Sequence, residues 1–323
     1  MQIDWKKLHG EAFNGIGCAV TGGAGFIGSH LVDALVALGA DVTVIDDLSS
    51  GFRENVNPKA KLIEASVLDE SIVKSALVGK KFVFHQAAKV SVPASVNDPA
   101  GYHRVNVDGT MYLLEAARKA NVKRVMFAAS SSAYGDSDEL PKHENMPPLS
   151  KSPYAANKVA GEHLMRAYAN SFEIDAVSLR YFNIFGPRQA ANSPYSGVIA
   201  KFVTMLMKGE RPTITGDGSA TRDFTFVANA VHANLLAARH QERLNGEVFN
   251  VATGIRTSVL ELALALARLV GRADLSPTFA PVRPGDVAHS QADLSRTSRM
   301  FGFKPIVDFE PGLAETVKWY VKG

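Results

Sequence analysis

Tyr154 and Lys158 stand four residues apart in the stretch SPYAANK, and Ser130 opens a triplet of serines upstream in AASSSAYGD. Residues at i and i+4 share one face of a helix. Pro153 suits the first turn of such a helix, where its missing N–H costs nothing. A phenol, an ammonium and a hydroxyl brought to one place can move a proton. Tyrosine is a poor base, with an ordinary pKa of about 10. Bringing it near neutrality costs about 4 kcal/mol. One cation about 5 Å away, at an effective dielectric near 20, offers about 3 kcal/mol. Lys158 and a second positive charge would therefore let Tyr154 accept a hydroxyl proton, with Ser130 bonding the same oxygen. The Y-x-x-x-K spacing is common by chance, so its weight depends on what else the chain carries.

The stretch AVTGGAGFIGSHL places Gly22, Gly25 and Gly28 between an expected strand and an expected helix. Glycines there allow a tight turn and let backbone N–H groups approach a pyrophosphate at a helix N-terminus. Strand, loop and helix come in the order that a dinucleotide site requires. Asp46 and Asp47 follow the second expected strand. A carboxylate there can bond both ribose hydroxyls and would repel a 2′-phosphate, so Asp46 points to NAD rather than NADP. A nicotinamide beside Tyr154 then supplies both a hydride acceptor and the second positive charge.

These residues need a scaffold. The segments GCAVTG, DVTVIDD, KFVFHQAA, RVMFAASS and DAVSLRYFNIFG read as strands. They alternate with the helical patterns GSHLVDALVALG, DESIVKSALVG, VNVDGTMYLLEAARKAN and SPYAANKVAGEHLMRAYANSF. In the first helix Leu31, Ala34, Leu35 and Leu38 lie on one face and Gly39 is its stop. The alternation predicts an α/β fold: a Rossmann-type doubly wound parallel sheet covered on both faces. From about Asn183 the pattern is irregular, with Gly- and Pro-rich loops around the helix SVLELALALARLVG and a further strand VFNVATG. A smaller C-terminal α/β region, interleaved with the sheet, is expected there.

The chain has 323 residues, 46% hydrophobic and 21% charged, with a net charge of +3. That is ordinary for a globular protein. No basic cluster suggests nucleic acid or an anionic membrane. No apolar run spans a bilayer, and the first residues lack a signal-peptide core. Cys18 is the one cysteine. It reads as a buried inert thiol in a reducing, cytoplasmic setting. His85 reads as a satisfied core histidine, and the histidines show no metal spacing. Met205 and Met207 read as helix core or interface. Lys89 is expected to face solvent.

The motifs TGGAGFIGSHL, HQAAKVSVPASVNDP, NVDGT, AASSSAYGD, SPYAANK, RYFNIFGPRQ, GDGSATRDFTFV and RPGDVAHSQAD are similar, in order and spacing, to those of the extended short-chain dehydrogenase/reductase family, and within it of UDP-sugar 4-epimerases. The resemblance covers nearly the whole chain. It implies a cofactor-binding part at 1–182, with 226–252 returning to it, and a UDP-sugar part at 183–323. Gly22, Gly25, Phe26, Ile27 and Gly28 would hold the pyrophosphate and Asp46 the ribose, with Ser50 and Gly51 nearby. Ser66 and Val67 would flank the adenine, although the family usually has Asp at the place of Ser66. Gln86, Ala87, Ala88, Asn106 and Tyr181 would line the nicotinamide side. Ser130, Tyr154 and Lys158 would form the catalytic trio, and the last two would also touch the cofactor. Ser131 and Ser132 would face the sugar. Asn183, Val198, Arg222, Arg283 and Asp286 would bind UDP, the guanidiniums suiting a diphosphate. A homodimer through a four-helix bundle is also implied.

The resemblance also narrows the reaction. Sugar dehydratases carry an Asp-Glu pair after the catalytic hydroxyl, and decarboxylases a Glu; here Ser131 and Ser132 stand there. Neither can act as a carboxylic acid, which favours hydride out and hydride back at C4. Ser290 lies where enzymes restricted to unacetylated sugars carry a bulky Tyr, which leaves room for an N-acetyl group. UDP-GlcNAc/UDP-GalNAc interconversion is expected, with some UDP-Glc/UDP-Gal activity. A UDP-uronate 4-epimerase or decarboxylase stays open through Lys89, as does an NAD-binding regulator without turnover.

Overall fold

The computed structural model describes residues 1–190, 197–282 and 288–322. Seven strands form one parallel sheet: β1 Gly17–Thr21, β2 Asp41–Asp46, β3 Lys61–Glu64, β4 Phe82–His85, β5 Arg124–Ser130, β6 Asp175–Tyr181 and β7 Glu247–Val251. Their order is β7-β6-β5-β4-β1-β2-β3. The winding reverses between β1 and β4, and a ligand crevice opens beyond the carboxyl ends of the strands at such a point. Thr21 pairs with His85 there, so the loops that follow both strands meet at the switch.

Successive side chains point to opposite faces of the sheet. Val20, Phe84, Met126 and Leu179 face one buried layer, completed by Leu31 and Leu35 of α1 (Phe26–Ala37). Ala19, Val83, Val125 and Phe127 face the other. That second layer is covered by α2 (Glu70–Ala76), α3 (Gly109–Lys119) and α4 (Pro153–Ser171). A π-helical segment, Arg104–Asp108, leads into α3.

Beyond β6 the chain builds a third core from α5 (Val198–Met207), α7 (Val259–Leu269) and α8 (Phe309–Lys322), with Phe185, Phe202, Phe224 and Leu262 at its centre. Between α5 and α7, helix α6 (Val227–Arg239) is buried from Val227 to Ala238 and returns the chain to the first layer. Asn183 has φ +35°, which ends β6 and lets Ile184–Phe185 leave the sheet to pair with Thr225–Phe226.

Arg124 ties these parts together from the start of β5. It is 1% exposed. Its guanidinium donates to Asp175 at 2.6 Å, to the Ala237 carbonyl at 2.6 Å and to the His240 carbonyl at 2.8 Å. The last two acceptors are carbonyls at the C-terminus of α6, which have no partner within the helix.

Candidate active site

The glycine turn sits where β1 meets β4, and its backbones are at contact. Gly22 has φ +68°, and a methyl group there would lie 2.7 Å from the Ala87 nitrogen. A methyl group on Gly28 would lie 2.1 Å from the Gly22 carbonyl oxygen. Gly25 caps α1 in extended backbone, so Phe26, Ile27 and Gly28 form the first turn, whose N–H groups have no intrahelical acceptor. Asp46, at the end of β2, accepts from Ala24 N and Leu48 N, both at 2.9 Å. Burial pushes its carboxyl up, and those two N–H groups counter the shift. Gly51 packs on Ala24, at 2.8 Å for an added Cβ, while Ser50 is exposed beside it. Ser66 spends its hydroxyl on its own turn, accepting from Leu68 N at 3.2 Å. Val67 is buried against Gly109.

The loop after β4 is held from below by one buried polar chain. Thr21 Oγ1 accepts from Ala87 N at 3.2 Å and meets His85 Nδ1 at 2.7 Å. His85 Nε2 lies 3.0 Å from Thr110 Oγ1, whose own proton goes to the Asn106 carbonyl at 2.7 Å. That leaves Nε2 as donor and Nδ1 as acceptor. Burial lowers His85 to a pKa of about 3, so the ring stays neutral, a core histidine as its sequence setting indicated. Asn106 clamps the loop's other end, with its amide bonded to Lys89 N at 2.8 Å and Lys89 O at 2.9 Å. Ala88 lies between the clamps. Gln86 meets the Tyr181 hydroxyl at 3.1 Å, and Asn234 donates to that hydroxyl at 2.7 Å. Lys89 itself is exposed and pairs with Asp98 at 2.9 Å.

Ser130, Tyr154 and Lys158 converge where β5 ends. Ser152 is the N-cap of α4 and Pro153 its first residue, so Tyr154 and Lys158 do share a helical face. Gly161 lets that face close on the sheet: a Cβ there would lie 2.3 Å from Phe127 Cζ. Lys158 is 3% exposed and donates to the Ala128 carbonyl at 2.7 Å. Its ammonium is 4.9 Å from the Phe127 ring centre and 6.0 Å from that of Tyr154. Ser130 Oγ accepts from Ser132 N at 3.2 Å and Ser132 Oγ at 2.9 Å, and it pulls the Tyr154 phenol's pKa down. Ser131 follows in the same short turn, Ser131–Tyr134.

The sequence expectation gave the phenol two cations, Lys158 and a nicotinamide. In the protein alone burial pushes the Tyr154 phenol up, and Ser130 pulls it down. Burial also lowers Lys158 to a pKa of about 8, against the charge of Glu162 one turn on. The spacing put the two groups on one face, but desolvation outweighs their attraction in the protein alone.

Asn183 and Arg222, both expected at UDP, lie beyond β6. Asn183 is exposed, and its carbonyl accepts from Thr225 N at 3.2 Å. Arg222 pairs with Thr257 in a two-residue ribbon, and its guanidinium donates to the Thr221 carbonyl at 2.9 Å. Ser290 N donates to the same Thr221 carbonyl at 3.0 Å, which brings Arg222 and Ser290 together. Val198 opens α5. Arg283 and Asp286 lie outside the described residues. Met205 is partly buried and Met207 exposed, so α5 turns Met207 away from its core.

The model of the NAD-dependent epimerase/dehydratase family matches residues 18–252. The chain belongs to this family. It is 41% identical over 308 residues to a UDP-glucose 4-epimerase of Mycolicibacterium smegmatis, covering 93% of this chain and 97% of that protein. Among solved structures it is similar to a UDP-N-acetylglucosamine 4-epimerase of Methanobrevibacter ruminantium in complex with UDP-N-acetylmuramic acid. That likeness has TM-score 0.91 and 40% identity over 96% of this chain and 99% of the other. It is also similar to a UDP-glucose 4-epimerase of Thermotoga maritima with UDP-glucose, with TM-score 0.90 and 38% identity over 95% and 99% of the two chains. The family's cofactor is NAD, and the site fits it. Gly22 and Gly28 have no room for a side chain, and the Asp46 carboxylate faces the turn with lone pairs left for hydroxyl donors.

Two residues of this epimerase/dehydratase site escaped the sequence reading. Asp223, 0% exposed, accepts from Thr253 N at 2.9 Å, Thr253 Oγ1 at 2.7 Å, Gly254 N at 2.9 Å and Ala292 N at 3.2 Å. It anchors the loops that carry Arg222 and Ser290. Glu162 forms a buried pair with Arg180 of β6, two bonds of 2.7 Å. The signal for Asp223 was its place in RDF; Glu162 stands at i+4 from Lys158, the same spacing already used once.

Proposed function

We propose that this enzyme inverts C4 of a UDP-sugar through a 4-keto intermediate, with UDP-GlcNAc and UDP-GalNAc as its main pair and some activity on UDP-Glc and UDP-Gal. The observation that carries the reading is the meeting of Ser130, Tyr154 and Lys158 at the end of β5, beside the loop Gln86–Lys89 and with no carboxylate at Ser131 or Ser132. Bound there, NAD would supply a hydride acceptor and donor for C4. Tyr154 takes the 4-hydroxyl proton and later returns it. Ser130, which pulls the phenol's pKa down, holds the same oxygen. Lys158 keeps its charge buried 2.7 Å from the Ala128 carbonyl, where it favours the phenolate. Its pKa of about 8 keeps it mostly charged at neutral pH. The phenol's upward shift means the remaining stabilisation must come from the second cation, so the base is armed only in the loaded site.

In this reading residues 1–182, with 226–252, hold the cofactor, while Asn183, Val198, Arg222, Arg283, Asp286 and Ser290 take UDP and the sugar. A uronate substrate needs a cation for its carboxylate. Lys89 was the candidate, and its pairing with Asp98 gives such a substrate no support. The test is to incubate the purified protein with UDP-GlcNAc, without added cofactor, and follow the anomeric protons by NMR. Conversion to a fixed ratio with UDP-GalNAc is expected. Turnover of UDP-Glc or UDP-glucuronate alone would change the substrate and keep the mechanism. Silence on all three, with NAD added, would overturn the reading.

A further inference from the structure

The first turn of α4 has amides to satisfy before the helical ladder begins. Pro153 has none. Ala155 N donates to Ser152 Oγ at 3.2 Å and Ala156 N to the Ser152 carbonyl at 3.0 Å. The remaining amide is that of Tyr154. It donates at 3.2 Å to Ser95 Oγ, a side chain 59 positions away in sequence and 0% exposed.

Ser95 lies on the short helix Val92–Asn97. Its own proton goes to the Val92 carbonyl at 2.6 Å, so towards Tyr154 the hydroxyl can only accept. The helix that carries it begins soon after Lys89, whose backbone is clamped on both sides by Asn106. Ser95 therefore links the loop on the nicotinamide side to the backbone of the residue that moves the proton. With its proton spent on Val92, the Tyr154 amide fills the acceptor side of this buried hydroxyl.

We propose that Ser95 is a positioning residue for Tyr154: by accepting the Tyr154 amide it sets the first turn of α4, and with it the distance from the phenol to Ser130 and to the cofactor loop. Ser95 touches no substrate. Its effect runs through the backbone of Tyr154. The inference rests on the epimerase reading.

The experiment compares wild type, Ser95→Ala and Ser152→Ala as purified full-length enzymes. Ser152→Ala removes the other side-chain cap of the same turn, bonded to Ala155 rather than to Tyr154. Three quantities are read: kcat against KM for the UDP-sugar, the acid limb of the kcat–pH profile, and the thermal midpoint. Misplacing a reacting group by about 1 Å can cost on the order of 100-fold. Ser95→Ala should lower kcat by about 10- to 100-fold with KM unchanged. Its acid limb should move to higher pH, because the phenol loses part of the Ser130 bond that lowers it; the phenol is also faced by Tyr102, from the helix Pro99–His103, and by Lys158 of α4. Ser152→Ala should lose comparable stability and far less kcat. If Ser95→Ala misfolds, Ser95→Cys, which keeps the volume and weakens the acceptor, is read by the same criteria. Wild-type kcat in the Ser95 variant, or equal kcat losses in the two variants, would overturn the inference. Absence of turnover in wild type would instead overturn the epimerase reading.

Discussion

The proposed cofactor side and the proposed sugar side are held by different means. The turn Gly22–Gly28 and the loop Gln86–Lys89 follow adjacent strands of a seven-stranded sheet, with Thr21, His85, Thr110 and Asn106 bonded beneath them. Asn183, Arg222 and Ser290 hang from strand pairs and bridges of one or two residues. There, four bonds to a single carboxylate, Asp223, do what a sheet does on the other side. A sheet spreads its bonds over many residues, so no one side chain decides the shape of the cradle. A loop cluster concentrates them. The proposed proton-moving trio sits on the sheet side, so chemistry and substrate choice should respond to mutation separately.

The largest effect should come from Tyr154→Phe. The general acid–base contribution is on the order of 100- to 10,000-fold, and kcat should fall by that much. The phenol makes no bond to the cradle's backbone, so bound NAD should remain at the wild-type amount, read by absorbance after denaturation. Loss of NAD with activity would break the separation of roles.

Asp223→Asn tests the other side. The amide keeps the size but presents N–H groups to donors that need an acceptor, and each buried donor left unpaired costs about 1–3 kcal/mol. KM for the UDP-sugar should rise about tenfold or more, an affinity loss of about 1.4 kcal/mol, while kcat and NAD content change little. A fall in kcat at constant KM would show the loop cluster reaching into the chemistry.

A smaller effect belongs to the sheet side alone. His9 and His232 meet at 3.0 Å in the first layer. Burial lowers them to pKa values of about 3 and about 4, and lowers His30 to about 4. In the unfolded chain each takes a proton near pH 6.5. Below that pH the unfolded state binds more protons, so this stabilisation is present above about 6.5 and lost as pH falls, by up to about 1.4 kcal/mol per pH unit for each group. Denaturant unfolding should show a less stable protein at pH 5 than at pH 7.5. His9→Gln should flatten that dependence.

How far these features could be read in advance follows the same division. The strands and helices around Gly22, Asp46 and Tyr154 carry period-2 and period-3.6 patterns, and the structure places them where the patterns put them. Strand β3 is four residues, KLIE, too short to show an alternation. Helix α6 is buried on all sides, so VANAVHANLLAAR has no polar stripe to mark a face. Nothing in RVMFAAS marks Arg124 as buried, and only the fold supplies Asp175 and the α6 carbonyls that bury it. The upward push of burial on Tyr154 was not legible for a related reason: spacing reports neighbours on a helix, and desolvation depends on everything else packed around it.

The finest test of the division is Ser290→Tyr. Ser290 is partly exposed and its amide bonds the Thr221 carbonyl at 3.0 Å, next to Arg222. A backbone bond of this kind survives substitution, so the loop should keep its place while a phenol fills the space beside it. If that space takes the N-acetyl group, the variant should lose activity on UDP-GlcNAc by about 10- to 200-fold, the range for a mismatched pocket contact. Its activity on UDP-Glc should be unchanged, with Tm and NAD content as in wild type. Undiminished N-acetyl turnover would remove Ser290 from the substrate pocket and leave the catalytic side untouched. Equal losses on both sugars would mean that the loop moved, and that the sugar side is less able to absorb change than its two-residue ribbons imply.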